Sequence, residues 1–249
     1  EKTFCECTAL QEIRLPDGLE LIGRSAFSEC EALQEIRLPD GLKEIGSDAF
    51  SGCRSLRQIT VPVGVKCIET AVFQSCRALQ EVHLPEGLEQ IGMFAFEDCD
   101  TLTRIVLPAS LKRLCRGAFE NCTSLLEAQL PDGLEELQDD AFEYCRSLQK
   151  VTIPAQVRQI ERAAFYYCQS LQEVQLPEEL NEIGEDAFAH CWALKRIVIP
   201  AGVEKVGEHA FWECYSLQNI AVLSDDTEIA EDAFEDCPGT VKRGTGSLF

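Results

Sequence analysis

The chain has 249 residues, of which 43 are acidic and 22 basic, and its formal net charge is −21. Such a charge repels phosphate backbones and anionic membrane surfaces, which argues against nucleic acid as a partner. No apolar run approaches the roughly 18 residues that a membrane span needs, so membrane insertion is not expected. The N-terminal stretch "EKTFCEC" lacks the basic start and apolar core of a secretion signal.

From its first residues onward the sequence repeats every 23 positions. Phe recurs at 4, 27, 50, 73, 96, 119, 142, 165, 188, 211 and 234, and a Cys follows each Phe three residues later. Pro16 begins another column that continues to Pro200. A period of this length predicts a solenoid, in which stacked copies bury a core that one copy cannot. We expect a partial repeat at 1–7, ten full repeats at 8–237 and a C-terminal cap or tail at 238–249.

Within one copy, three elements follow in order. The segment "LQEIRL" (10–15) alternates apolar and polar residues, which predicts a short strand that stacks into a parallel sheet. Pro16 lacks a backbone donor and ends this strand. The segment "LELIG" (19–23) predicts a second extended piece, and "AFSEC" (26–30) predicts a turn, 3₁₀ or helical corner. The predicted fold is therefore a solenoid of about ten rungs, spaced roughly 4.8 Å apart.

The copy "ALQEIRLPDGLKEIGSDAFSGC" (32–53) resembles the BspA-like class of leucine-rich repeat. The resemblance covers residues 4 to 237, and Gly18 and its equivalents stand where commoner leucine-rich repeats carry an asparagine. It implies a curved right-handed solenoid, a role in adhesion or protein recognition, and a secreted or cell-surface location. No cofactor is expected. Ten copies without an insertion or deletion leave a consensus-designed origin open, whereas the irregular surface substitutions favour a natural one.

Fourteen cysteines are unusual for this length, and eleven of them share one repeat position. We expect this column to point inward as small apolar residues, because parallel Cβ vectors do not suit disulfide torsion and zinc needs convergent ligands. Cys67 and Cys115 lie outside the column and are not expected to bridge. Many unpaired thiols favour a reducing or anaerobic setting, in tension with a cell-surface location. The predicted structural residues include Phe27, Cys30, Phe50, Cys53, Phe142, Cys145, Phe188 and Cys191.

A second period of 46 residues is superimposed on the first. Acidic turns such as "LPDG" (38–41) alternate with non-acidic ones such as "VPVG" (61–64). The residue before the central aliphatic of the strand alternates in sign along Glu81, Arg104, Glu127, Lys150, Glu173 and Arg196. Because opposite charges on adjacent strands stabilise a sheet, this pattern favours self-neutralisation of the sheet face over a charged ligand site there.

Every tyrosine and tryptophan lies between residues 144 and 215, at neighbouring repeat positions after the Phe or the Cys. With one histidine they form the candidate binding residues Tyr144, Tyr166, Tyr167, His190, Trp192, Trp212 and Tyr215. Clustered surface aromatics are typical of interfaces, so we predict a protein- or glycan-binding edge. The alternatives are mutual packing or cover for a neighbouring domain. Phe94 is interpreted as a local packing substitution.

Catalytic chemistry has no convergent set of residues. His83, His190 and His209 occupy three different repeat positions, and we expect the last two at different corners. No nucleophile elbow, phosphate loop or H-E-x-x-H motif occurs. The acidic pairs Asp139–Asp140 and Asp225–Asp226 are interpreted as surface charge without a calcium loop. The predicted function is a non-enzymatic recognition or adhesion scaffold that uses the aromatic edge or the sheet face. The alternative is a structural spacer, or a module that self-associates through its N-terminal end.

Overall fold

The chain forms a solenoid in which each rung contributes two short strands, as a computed structural model shows for residues 1–244. The first strands are β1 (Glu12–Arg14), β3 (Glu35–Arg37), β5 (Gln58–Thr60), β7 (Glu81–His83), β9 (Arg104–Val106), β11 (Glu127–Gln129), β13 (Lys150–Thr152), β15 (Glu173–Gln175), β17 (Arg196–Ile199) and β19 (Asn219–Val222). The second strands are β2 (Leu21–Ile22), β4 (Glu44–Ile45), β6 (Cys67–Ile68), β8 (Gln90–Ile91), β10 (Arg113–Leu114), β12 (Glu136–Leu137), β14 (Gln159–Ile160), β16 (Glu182–Ile183), β18 (Lys205–Val206) and β20 (Glu228–Ile229).

A last strand, β21 (Thr240–Arg243), lies parallel to β19 in the segment predicted as a C-terminal cap. Residues 245–249 of that segment lie outside the described residues.

Strand pairing is parallel and in register with the repeat. Ile13 lies opposite Ile36, and Val151 lies opposite Val174. Because the offset equals the repeat length, equivalent side chains form continuous columns through the molecule. The predicted solenoid of stacked 23-residue rungs is confirmed.

The corner around each Phe consists of turns, with no helical residue of either the α or the 3₁₀ type in residues 1–244. The Ala26 and Cys30 N–H groups close short turns by donating to the Gly23 and Phe27 carbonyls at 3.2 and 3.1 Å. The Phe27 N–H instead donates to the Ala49 carbonyl of the next rung at 2.8 Å. The corner is thus a third hydrogen-bonded ladder, which satisfies the buried backbone groups that a tight bend exposes.

The core is built on the Phe column. Successive rings stack with centroids 5.0 to 5.7 Å apart, from the Phe4–Phe27 pair to the Phe211–Phe234 pair. The rings from Phe50 to Phe211 are completely buried. Burying one such side chain contributes about 1.5 to 3 kcal/mol, so the column adds stability at each contact between rungs.

The 46-residue period is visible in the sheet. Strand β5 pairs with β7, and β13 with β15, whereas residues 1–244 show no ladder between β3 and β5 or between β15 and β17. In the non-acidic copies the residue before Pro extends the pairing, since the Val61 N–H donates to the His83 carbonyl and the Ile153 N–H to the Gln175 carbonyl, each at 2.9 Å. Within the described part of the chain, the ladder is thus interrupted at three of the four junctions where a non-acidic copy follows an acidic one, β3/β5, β7/β9 and β15/β17, whereas β11 and β13 stay joined within a four-stranded sheet through Glu127 and Lys150.

Candidate functional site

Each corner from the first to that of His209 and Glu213 holds two residues in the left-handed backbone region, and the last corner holds only Asp236. At the position two after the Phe, φ is 58° at Asp98, 57° at Asn121, 57° at Tyr144, 57° at Tyr167 and 59° at His190. Asp and Asn tolerate this conformation because their short side chains bond locally, whereas a bulky residue there costs about 1 to 3 kcal/mol. The two tyrosines are thus placed where a shorter polar side chain would be less strained.

The seven aromatic side chains predicted as binding residues form one contiguous surface. We call this surface the aromatic corner; it comprises Tyr144, Tyr166, Tyr167, His190, Trp192, Trp212 and Tyr215. Ring centroids are 5.0 Å apart for Tyr166 and Tyr167, and 4.1 Å apart for Tyr167 and His190. Trp192 lies 6.0 Å from Tyr167 and 6.3 Å from Tyr215. The structure therefore brings together all the residues that the sequence grouped.

Burial within the aromatic corner is graded. Tyr215 and Trp192 are 53% and 38% exposed, but His190 is only 4% exposed. The prediction that all seven lie at the surface is wrong for His190, because the rings of Tyr167 and Trp212 cover it. Trp212 also contacts His209, with ring centroids 5.4 Å apart. The prediction that His190 and His209 occupy different corners is therefore wrong, since both imidazoles lie against Trp212.

Charged groups border these rings. The Glu213 Oε2 lies 2.9 Å from the His190 Nδ1, but off the direction of a linear hydrogen bond. A hydrogen bond to the same carboxylate raises the pKa of Tyr215 to about 12. Burial raises the pKa of Tyr166 to about 12. The guanidinium of Arg146 lies over the Tyr144 ring, 5.7 Å from its centroid. The phenols of Tyr166 and Tyr215 are therefore protonated at neutral pH and present hydroxyl groups beside apolar rings.

A row of half-buried carboxylates adjoins the aromatic corner. We call Glu97, Glu120 and Glu143 the carboxylate ladder; they occupy the position after the Phe on three successive rungs. Burial and the mutual repulsion of these groups raise the pKa of Glu120 and that of Glu143 to about 7. At one end the Gln74 Nε2 donates to Glu97 at 2.5 Å. These side chains are therefore more readily protonated than ordinary surface glutamates.

Asp140 is the most buried carboxylate in this region, with 3% exposure. The Arg116 Nε lies 2.9 Å from one of its oxygens, and Arg162 lies 3.1 Å from the other. The interpretation of Asp140 as surface charge is therefore wrong. Arginines from the rungs on either side enclose it, which is how a buried charge becomes tolerable. Asp225 and Asp226 are exposed, as a surface pair should be.

The Phe and Cys residues predicted as structural all lie inside the solenoid; Phe27, Cys30, Phe50, Cys53, Phe142, Cys145, Phe188 and Cys191 are buried. All fourteen cysteines are free thiols. Ten of the eleven column thiols also make a contact that the sequence did not indicate, whereas Cys7 in the first corner is exposed, so the prediction that the column points inward is wrong for that residue. The Cys145 Sγ donates to the Phe119 carbonyl at 3.2 Å, and the same bond recurs from Cys30 to Cys237. The column is thus a hydrogen-bond donor between rungs as well as a small apolar filling.

The sheet face is only partly self-neutralised. The Glu173 carboxylate contacts the Lys150 Nζ at 3.2 Å and Arg196 at 2.9 Å, and these partners lower its pKa. Glu81 instead lies 3.1 Å from the His83 Nε2 on its own strand, so His83 belongs to an exposed pair. Shallow grooves of about 420 and 280 Å³ follow the unpaired junctions β3/β5 and β15/β17.

Within residues 1–244 no helix is long and apolar enough to cross a bilayer. Over the same residues no three His, Cys, Asp or Glu side chains are arranged as metal ligands.

A parallel solenoid with a Phe stack, a thiol column and a proline-terminated strand defines a leucine-rich-repeat protein. The family model described as a BspA type leucine rich repeat region of six copies matches residues 1–126 and again residues 116–241. The chain belongs to this family.

Three solved structures are similar to this chain. A leucine-rich repeat protein from Bacteroides ovatus is 30% identical with a TM-score of 0.87, over 94% of this chain and 63% of that protein. A leucine rich cell surface protein from Faecalibacterium prausnitzii is 26% identical with a TM-score of 0.57, over 98% and 75% of the two chains. The leucine-rich repeat protein of T. pallidum is 27% identical with a TM-score of 0.53, and the match covers 74% of this chain and 77% of that protein. No curated protein matches the chain.

Sequence reasoning missed three parts of the site. Reading the column after the Phe would have revealed the carboxylate ladder, because Gln74 and three glutamates follow one another there. The same reading of neighbouring columns places Arg146 and Glu213 beside the rings. The thiol hydrogen bonds had no signal in the sequence, since Cys is equally expected as a buried apolar residue.

Proposed function

We propose that this chain is a non-enzymatic recognition scaffold that binds another macromolecule, a protein or a glycan, through the aromatic corner. Family membership supports an interaction or adhesion role. The site itself is proposed from the residues described here. The sheet face, with its shallow grooves and partly paired charges, is the second surface to which a ligand has access.

The observation that carries this proposal is the exposure of Trp192 and Tyr215 beside ring neighbours on successive rungs. The rungs before them place Arg, Thr, Asp, Glu or Gln at the same repeat position. Amphipathic aromatics supply large contact area at low entropic cost, which is why they dominate interface energetics. Tyrosines in left-handed backbone positions add local strain that packing within the solenoid does not require.

An array of purified proteins and glycans tests the site directly. We expect labelled wild-type chain to give signals that Trp192→Ala/Tyr215→Ala loses, while the midpoint of thermal unfolding changes little because both side chains are exposed. The matched control is Val63→Ala/Val106→Ala, which removes two exposed apolar side chains, each 74% exposed, from other surfaces.

If every signal survives the aromatic double substitution, the aromatic corner is not the binding site. Loss of signal in the valine control as well would instead mean that the sheet face, on which Val106 lies, takes part in binding, or that adsorption is non-specific. Self-association through the N-terminal end stays a separate prediction, and mass measurement over a concentration series tests it.

A further inference from the structure

We infer that the exposed end of the aromatic corner binds a cationic side chain, an arginine or lysine of a basic protein segment. This inference rests on the proposed function and specifies the chemistry of its ligand. It follows from one intramolecular contact, from the unoccupied rings beside that contact and from the carboxylates that border them.

The intramolecular contact is that of Arg146 with Tyr144. Its guanidinium lies 5.7 Å from the ring centroid, within the range of a cation–π interaction. A second guanidinium, that of Arg116, lies 5.8 Å from the centroid of the Phe94 ring of the preceding rung, at a different position of the corner. The corner geometry therefore already holds guanidinium groups over aromatic rings in two separate rungs.

The rings that follow lack such a partner. Gln169 replaces Arg146 at the equivalent position of the next rung, and the two rungs after it carry Trp192 and Tyr215. Among residues 1–244 no cation lies over the rings of Tyr167, Trp192 or Tyr215. These three rings are contiguous, with successive centroids 6.0 and 6.3 Å apart, and two of them are exposed.

The charge around these rings is negative. The Glu213 Oε2 lies 2.9 Å from the His190 Nδ1 beside these rings, and both Glu213 and Asp236 raise the pKa of the Tyr215 phenol. Asp236 is exposed on the next rung, and the chain as a whole carries a net charge of −21. Aromatic faces bordered by carboxylates attract a cation that loses water on binding, and they repel an anion. A neutral glycan can stack on the rings and donate its hydroxyls to the carboxylates, but only a cation also gains from their net negative charge, so charge complementarity favours the basic segment.

The test is calorimetric titration of the chain at about 150 mM salt, where weak surface electrostatics are screened. The probes are an acetylated, amidated pentapeptide with two arginines spaced by glycine, the same peptide with citrulline in place of arginine, and cellohexaose. We expect the arginine peptide to bind and the citrulline peptide, which keeps the shape but not the charge, to bind at least about five-fold more weakly.

Two variants locate the interaction. Trp192→Ala should weaken arginine-peptide binding about five- to thirty-fold, and Glu213→Gln/Asp236→Asn should weaken it about three- to ten-fold. Glu44→Gln, at an exposed carboxylate of β4, is the charge control and should have no effect.

Equal binding of the arginine peptide to wild type and Trp192→Ala would overturn the inference, because the attraction would then be non-specific. So would binding of cellohexaose, but not of the arginine peptide, in a Trp192-dependent manner; that result would leave the aromatic corner as the binding site. Failure of all three probes also overturns the inference, and the array experiment then decides separately whether the site exists.

Discussion

The same corner backbone carries two different surfaces in the two halves of the molecule. In the middle rungs the left-handed position holds Asp98 and Asn121, and the Asn121 Nδ2 donates to the Asp98 carboxylate at 2.5 Å. In the later rungs it holds Tyr144, Tyr167 and His190, whose rings contact one another. Backbone angles and the rung-to-rung hydrogen bonds are alike in both. The repeat therefore fixes the backbone of the corner, whereas the side chains that the corner carries differ between the two halves.

The largest effect is expected from the shared core. Phe96→Ala in the polar half and Phe165→Ala in the aromatic half each remove a fully buried ring from the stack. Each should lower the free energy of unfolding by about 3 to 5 kcal/mol, and the two losses should agree within about 1 kcal/mol. Urea denaturation followed by circular dichroism measures both. A much larger loss in one half would show that the two regions differ in their core and not only at the surface.

An intermediate effect is expected at Phe94, the aromatic residue that occupies a left-handed position in the polar half. Its ring fills the space over Gly117, where an added Cβ would lie 2.5 Å from a ring carbon. Gly117 itself has φ of +60°. We expect Gly117→Ala to lower the free energy of unfolding by about 1 to 3 kcal/mol in the wild type. In a chain that already carries Phe94→Ala, the same substitution should lower it by distinctly less. Additive losses in this double-mutant cycle would mean that backbone strain, and not the ring, is responsible.

The smallest effect concerns pH and the carboxylate ladder between the two surfaces. Glu120 and Glu143 have pKa values raised to about 7 in the folded chain, from an ordinary value of 4.5. The folded state therefore binds these protons more tightly than the unfolded state does. The resulting contribution to the free energy of unfolding is complete below pH 4.5 and is lost as the pH rises through 7. Because these groups are half exposed, we expect a discounted gain of about 1 kcal/mol on going from pH 8 to pH 5.5.

Unfolding midpoints measured between pH 5.5 and pH 8 test whether the carboxylate ladder causes this pH dependence of stability. Glu120→Gln/Glu143→Gln should flatten the pH dependence, whereas Glu44→Gln/Glu127→Gln changes the charge equally at exposed strand positions and should not. A slope that both double variants reduce to the same extent would attribute the effect to the net charge of the acidic chain.

Much of the fold could be predicted because each column is occupied by one kind of residue. The recurrence of Phe50 and Cys53 at fixed spacing indicated an inward-facing corner, and Pro39 marked the end of a strand. The grouping of Tyr167, Trp192 and their neighbours was also accessible, since columns 23 residues apart must be adjacent in a solenoid. The details of burial were not accessible, because they depend on how far each side chain reaches over the next rung.

His190 and Asp140 show this limit. Both looked like surface residues in the sequence, yet both are almost completely buried. His190 is covered by rings from its own and adjacent rungs, and Asp140 by arginines on either side. Neither outcome is encoded at the position itself, since it depends on partners about one repeat away.

The sequence by itself determined the rung length, the parallel register and the residues of the core, because a strict 23-residue period leaves stacked rungs as the way to bury every Phe. Only the tertiary structure decided that the corner is a left-handed turn ladder, that the thiols donate to carbonyls between rungs, and which polar groups beside the aromatic corner lose contact with water. These features depend on distances between side chains of neighbouring rungs, which a linear repeat does not specify.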